Sequence, residues 1–494
     1  MKRRQFLLGG TALLAQDRAP NILFCITDDQ SWLHTAATGS KWIRTPAFNR
    51  IAQNGVLFRN AFVSTPSCAP SRASALTGQD FYRFGSASMN HTEWQTGLRG
   101  YPDILAQRGY KTGSTGKGWA PGNWKSAGRT VPPAGPEFNK IRLKAPASGI
   151  ADIDYAGNFA QFLEARGSAP FCFWVGFSEP HRVFEQGYGV KSGKKLSEIP
   201  VPAFLPDTPE VRSDIADYAA EIEWADQQLV KMLNMLHRSG ELDNTIVIIT
   251  SDNGMAFPRA KGNIYEYGLH VPLALQWSKR IKPGQVLDDL VSFVDFAPTL
   301  LEAAGAPKPT SITGHSLLAR VTGKGKPVRQ EVICGIERHF PGSRPNGEGY
   351  PVRAIRTAQY LYIENLTPNR NPAGDRPGPV WPSDDPTGGF GDTDGGPTKT
   401  QLCNDGLHAA LFERAFGKRP AVELYDVRTD AANLNNLAGK LQFRKIEANL
   451  KARLDKYRKK TQDPRSINRG ADLDVVMKRF PSVAAEVSKQ QEGR

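Results

Sequence analysis

Two unbroken apolar runs, each ending in short acids and amides, constrain this chain more than any other feature. Asn21-Ile22-Leu23-Phe24-Cys25-Ile26-Thr27 runs into Asp28-Asp29-Gln30, and Thr245-Ile246-Val247-Ile248-Ile249-Thr250 runs into Ser251-Asp252-Asn253-Gly254. Runs this short, apolar at odd and even positions alike, read as strands buried on both faces. Phe171 to Phe177 repeats the pattern. Helical stretches alternate with these strands. Thr45-Pro46 to Asn54-Gly55 carries Thr as N-cap, Pro in the first turn and Gly past the end. Tyr101 to Arg108 reads as a second helix. A long amphipathic helix from Thr208-Pro209 to about Ser239 keeps Val211, Ile215, Ile222, Leu229, Leu233 and Leu236 near one face, with Trp224 and Asp226 read as structural. The expected fold is α/β, a large mostly parallel or mixed sheet flanked by helices. Ligands bind at the carboxyl ends of such strands. Asp28, Asp29, Asp252 and Asn253 stand there and offer only oxygen ligands, a set suited to a hard cation, calcium with magnesium as the alternative.

Between the first two strands lies Ser67-Cys68-Ala69-Pro70-Ser71-Arg72-Ala73-Ser74-Ala75-Leu76-Thr77-Gly78. Pro70 suits a first helical turn and Gly78 a helix end. Cys68 then sits at a helix N-terminus, where free N–H groups favour an anion, and Arg72 one turn on would fork onto a tetrahedral oxyanion. A lone Cys is otherwise among the most buried and inert residue types. The other cysteines, Cys25, Cys172, Cys334 and Cys403, show no zinc-site or disulfide spacing.

Cys-x-Pro-Ser-Arg-x-x-x-Leu-Thr-Gly resembles the motif of the type I sulfatases. The resemblance extends over essentially the whole chain after residue 20, through the Asp-Asp strand end, Thr115-Gly116-Lys117, Ser251-Asp252-Asn253-Gly254 and Leu424-Tyr425-Asp426. It implies an alkaline-phosphatase-like fold with a smaller C-terminal α+β part containing an antiparallel sheet. It further implies conversion of Cys68 to formylglycine by a maturation enzyme, a metal held by Asp28, Asp29, Cys68, Asp252 and Asn253, and sulfate neutralised by Arg72 and Lys117. Glu179-Pro180-His181-Arg182, Phe204 to Pro209, Phe257-Pro258 and Tyr350-Pro351-Val352-Arg353 are similar to segments of the heparan N-sulfatases. That likeness implies an N-sulfoglucosamine substrate, His181 as the proton donor to the leaving group and Lys261 as a further sulfate contact. Basic residues such as Arg182, Lys261 and Arg353 would hold other sulfates or a uronate. The alternatives are an O-sulfate ester sulfatase, a phosphomonoester or phosphonate hydrolase of the same superfamily, and an inactive polysaccharide-binding homologue. One departure stands out: Trp119 occupies the place, two after the lysine, where most sulfatases carry His. His91 and His270 are the unplaced substitutes.

The chain has 494 residues, 39% hydrophobic and 23% charged, with a formal net charge of +14. The basic residues are spread out, and no nucleic-acid-binding motif is present, so an anionic saccharide is the better partner. Met1-Lys2-Arg3-Arg4-Gln5-Phe6-Leu7-Leu8 and the following apolar run read as an export signal of twin-arginine type over 1–19, too short to span a membrane and leading to the periplasm or beyond. Residues 20–340 are read as the catalytic part and 341–494 as the smaller subdomain. Strands are expected at 352–363 and 422–427, and a helix at 441–459. A Pro-, Gly- and Asp-rich loop over 366–400, with Trp381 and Phe390 as isolated aromatics, is expected near the pocket mouth.

Overall fold

The computed structural model describes residues 18–404 and 406–481, so the export signal read over 1–19 lies almost wholly outside the described residues. The apolar runs form strands Asn21–Thr27 (β1), Val56–Phe62 (β2), Lys111–Gly116 (β3), Phe171–Gly176 (β4), Thr245–Ser251 (β5), His270–Gln276 (β6) and Gln285–Ser292 (β7). They make one seven-stranded sheet in the order β3-β4-β1-β5-β6-β2-β7. β1 lies parallel between β4 and β5, with Phe24 opposite Trp174 and Ile248. β3 is parallel to β4 and β2 to β7. β6 runs antiparallel to β5 and to β2. The chain leaving β5 stays at the carboxyl edge through residues 252–269 and re-enters the sheet from there, which forces β6 to run backwards. That same return segment carries Asp252, Asn253 and Lys261.

Strand alternation sends Ile22, Phe24 and Ile26 to one core and Leu23 and Cys25 to another. The first core packs against helices Cys68–Thr77 (α2) and Phe296–Ala303 (α5). The second packs against Pro46–Gln53 (α1), Tyr155–Ala165 (α3) and the C-terminal half of Pro209–Arg238 (α4). Helices on both faces explain why β1, β4 and β5 are apolar throughout. The start of α1 differs from expectation. The Thr45 hydroxyl accepts from the Ala36 N–H at 2.9 Å and does not cap. Asp226 of α4 caps instead, accepting from the N–H groups of Ala47 and Phe48 at 2.8 and 2.9 Å.

Glu331–Ile336 (β8), Val352–Thr357 (β9), Tyr360–Asn365 (β10) and Val422–Asp426 (β11) form a second, antiparallel sheet in chain order. Leu450 and Leu454 of Arg444–Lys460 (α6) cover it, against Ile333, Ile355, Tyr362 and Leu424. A boundary at residue 340 therefore falls one strand late. β8 pairs Ile333 with Ile355 of β9, yet its other face, Val332, Cys334 and Ile336, joins the main core.

Candidate active site

Thr27 of β1 pairs with Ser251 of β5, so the two acidic strand ends emerge side by side. Asp29 then turns into the left-handed region, φ 76°, and donates its N–H to Asp252 Oδ1 at 3.1 Å. This breaks the strand's alternation, and carboxylate oxygens of Asp28, Asp29 and Asp252 come within 4.8 Å of one another and of Cys68 Sγ. Cys68 is the first residue of α2, after an extended Ser67, and Gly78 closes the helix at φ 70°. Its Sγ lies 3.5 Å from Asp28 Oδ1 and 3.8 Å from Asn253 Nδ2. At the end of β3, Gly116 has φ +71°, and a Cβ there would come 2.1 Å from the Gly176 carbonyl oxygen. Only glycine allows the turn that presents Lys117.

Three cations meet these acids. Lys117 Nζ donates to Asp28 Oδ2 at 2.5 Å. Lys261 Nζ bridges Asp29 Oδ2 at 2.7 Å and Asp394 Oδ2 at 2.8 Å, and donates to His181 Nε2 at 3.0 Å. Arg72 is fully buried, its Nε on Asp252 Oδ2 at 2.6 Å and its Nη1 on the Lys117 carbonyl at 2.5 Å. Nη2 has no hydrogen-bond partner. Arg72 therefore offers one N–H edge to an anion, where a fork was expected, because the other edge braces Asp252.

Burial opposes ionisation throughout, and the partners decide the outcome. Lys117, followed by His181 and Arg72, holds Asp28 well below the usual carboxylate range. Burial pushes Asp29 well up, with Asp28, Asp252 and Asp394 adding to it against Lys261. Burial also pushes the Cys68 thiol up. Burial, then Lys261, brings His181 down to about 3. Its ring is neutral, Nδ1 donating to the Arg182 carbonyl at 2.6 Å and Nε2 accepting from Lys261.

The residues singled out from the sequence divide sharply. Asp28, Asp29, Cys68, Arg72, Lys117, His181, Asp252, Asn253 and Lys261 converge on one pocket. Arg182 and Arg353 do not face it as saccharide contacts. Arg182 is clamped on both oxygens of Asp214 at 2.8 and 2.7 Å. Arg353, 0% exposed, is held by Glu337 and Asp463. Trp119 is buried in the core, edge-on to Trp94 at 5.1 Å. His270 stacks on Trp32, with Nε2 on the Arg59 carbonyl and Nδ1 3.3 Å from Glu266; it is a structural histidine. His91 is part-exposed against Phe340, and burial with the fields of His339, Arg338, Lys117 and Lys261 brings it down to about 3.

Two further residues, His339 and Asp394, were not anticipated, whereas the 366–400 loop with Trp381 lies beside the site as expected. His339 Nδ1 lies 2.9 Å from the hydroxyl of Ser67, the neighbour of Cys68. The 366–400 loop supplies Asp394 to Lys261 and sets Trp381 edge-on to His181 at 5.3 Å. No periodic pattern marks such positions.

The donor set fits a divalent cation. Asp29 Oδ1 and Asn253 Oδ1 are buried without a hydrogen-bond partner, as oxygens awaiting a cation would be. Four carboxylates, counting Asp394, also face only three cations. Adding a divalent ion turns a pocket that repels anions into one that attracts them.

The profile of the family described as Sulfatase matches residues 20–306, and that described as N-sulphoglucosamine sulphohydrolase, C-terminal, matches residues 259–367. The chain is 30% identical to human N-sulphoglucosamine sulphohydrolase over 91% of its own length and 92% of the relative's. Among solved structures, it is similar in fold to one determined with its substrate D-glucosamine-2-N,6-O-disulfate, with a TM-score of 0.66 at 20% identity over 90% of this chain and 99% of the other. A phosphonate monoester hydrolase from Silicibacter pomeroyi shares the fold equally well, with a TM-score of 0.66 at 17% identity over 90% and 96% of the two chains.

Proposed function

This chain belongs to the sulfatase family, hydrolases of sulfate esters or sulfamates, and from that premise we propose that its substrate is an N-sulfated glucosamine of heparin or heparan type. The observation that carries the choice of substrate is the identity with human N-sulphoglucosamine sulphohydrolase, which extends over 91% of the chain.

Asp28, Asp29, Asp252 and Asn253, with the group at position 68, would hold one divalent cation, calcium or else magnesium, which would supply positive charge to the sulfuryl oxygens. A buried thiol with its pKa pushed up is a poor nucleophile. Formylglycine, made from Cys68 by a maturation enzyme, would instead supply a hydrated aldehyde, able to release sulfate by breaking C–O.

The remaining work falls to the chain's own side chains. Lys117, Lys261 and Arg72 Nη2, which lies 3.9 Å from Asp28 Oδ2 and makes no hydrogen bond, bind the sulfate oxygens and set its orientation. An amine leaves well only when it is protonated. The Lys261 ammonium and His181 Nε2, 3.0 Å apart, hold a proton between them, and the Arg182 carbonyl fixes the ring so that Nε2 faces the pocket. As substrate binds, that pair delivers the proton to the departing nitrogen. Asp394 keeps Lys261 in place. The basic N-terminal segment would direct export, and no helix among the described residues is long and apolar enough to cross a membrane.

Heparin disaccharides bearing N-, 2-O- or 6-O-sulfate, offered separately, test the reading. Sulfate release from the N-sulfated sugar is expected. Release only from O-sulfated sugars overturns the N-sulfate assignment, and turnover of phosphonate esters alone overturns sulfate itself.

A further inference from the structure

We propose that a groove beyond the far end of α2 is a second binding site for sulfated oligosaccharide, separate from the catalytic pocket; the choice of ligand rests on the substrate reading above. The groove has a volume of about 570 Å³, within the range of built ligand sites. It opens at Gln79, and α2 places the length of a ten-residue helix, about 15 Å, between it and Cys68.

Its lining has the chemistry of a receptor for an anionic sugar. Three cations, Arg83, Arg99 and Lys308, and three carboxamides, Gln79, Gln95 and Gln107, share the wall, and no carboxylate lines it. Among the described residues Arg99 and Lys308 have no ion-pair partner and both are exposed. Arg83 donates from Nη1 to the Thr461 carbonyl at 2.6 Å, while its buried Nε has no partner. Asp80, the acid whose field reaches Arg83, is buried and accepts from the Tyr457 hydroxyl at 3.0 Å. Cations without counter-ions bind sulfate or carboxylate groups, and carboxamides pair with sugar hydroxyls.

The walls are also rigid, which lowers the ordering cost of binding. One is a tight turn in which Leu98 N–H bonds to the Gln95 carbonyl at 3.1 Å, Gly97 adopts φ +79°, and the indole of buried Trp94 holds the Leu98 carbonyl at 3.0 Å. The other follows α5 through Pro307, Lys308 and Pro309, and is tied back where the N–H groups of Thr313 and Gly314 bond to the Gly78 carbonyl at 3.0 and 3.1 Å.

The test is calorimetric titration of the full chain with a heparin octasaccharide, against a double variant, Arg99→Ser with Lys308→Ser. Both side chains are exposed and unpaired, so the melting temperature is expected to hold. Wild type should bind two equivalents and the double variant one, the affinity of the groove falling by about a hundredfold or more, out of the range in which the second equivalent is seen. Turnover of a monosaccharide substrate should be unchanged. Identical stoichiometry and affinity in the two proteins overturn the proposal. An equally charged single-stranded oligonucleotide that binds more tightly, and is lost in the double variant, overturns the ligand class. Absence of sulfate release from any saccharide, with the drop from two equivalents to one intact, overturns the substrate reading and leaves the groove standing.

Discussion

Among the described residues, the buried charges around Arg353 and those at the carboxyl ends of β1 and β5 differ in one respect. Around Arg353, every charged group is answered. Its guanidinium bonds to both oxygens of Asp463, to Glu337 and to the Val352 carbonyl, Arg458 shares Oδ2 of Asp463, and Arg465 takes the far oxygen of Glu337. None of these side chains has a buried atom without a partner. At the carboxyl ends of β1 and β5 the acids outnumber the cations, and Asp29 Oδ1, Asn253 Oδ1 and Arg72 Nη2 are left over. A buried polar group without a partner costs free energy. Of these two clusters, the one with leftover valence is the one whose oxygens suit a cation. Burial and charge alone would have marked both clusters equally; the leftover valence tells them apart.

Substitutions should therefore separate the clusters. Cys68→Ala is expected to lower turnover by roughly 10⁴-fold or more while leaving the denaturant midpoint unchanged. Near-normal activity would remove Cys68 from the chemistry. Arg353→Met should do the reverse. Stripping the central cation from two buried acids should cost about 3–5 kcal/mol of stability, read from the denaturant midpoint, with the turnover per folded molecule preserved. Loss of activity without loss of stability would mean that this cluster, too, serves a ligand. A smaller effect concerns the buried Glu266, whose carboxylate Arg356 grips at 2.6 Å. Burial opposes its ionisation, yet Arg356 and then His270 pull Glu266 down from 4.5 to about 2. A depressed acid stabilises the fold fully above its unfolded value, and the contribution fades as pH falls from 4.5 towards 2. The difference in stability between wild type and Glu266→Gln should be about 3 kcal/mol above pH 5 and shrink below it. A difference that grows with acid would contradict the pairing.

Features carried by local pattern were legible in the sequence. Strands buried on both faces declare themselves, and acids after two of them fall at the sheet edge where ligands collect. The helix after Cys68 was readable from Pro70 and Gly78. What failed depended on partners distant in sequence. Arg182 and Arg353 read as free cations because Asp214 lies 32 residues from one and Asp463 110 from the other. Thr45 read as a cap because nothing local shows that Asp226, on another helix, reaches the same N–H groups. Asp394 comes from a stretch without periodicity, held down by contacts such as Lys399 Nζ to Asp385 at 2.7 Å and Phe340 N–H to Asp392 at 2.8 Å, and composition alone pointed to that loop and its Trp381. The boundary at 340 missed β8 because that strand serves both sheets.

The claim that leftover valence marks the site is tested most directly by elemental analysis of the purified chain beside Asp252→Ala and Arg353→Met. Wild type and Arg353→Met should each carry one calcium, or one magnesium, per chain, and Asp252→Ala none. One zinc per chain with neither calcium nor magnesium would contradict the claim, as would an Asp252→Ala protein that keeps its metal.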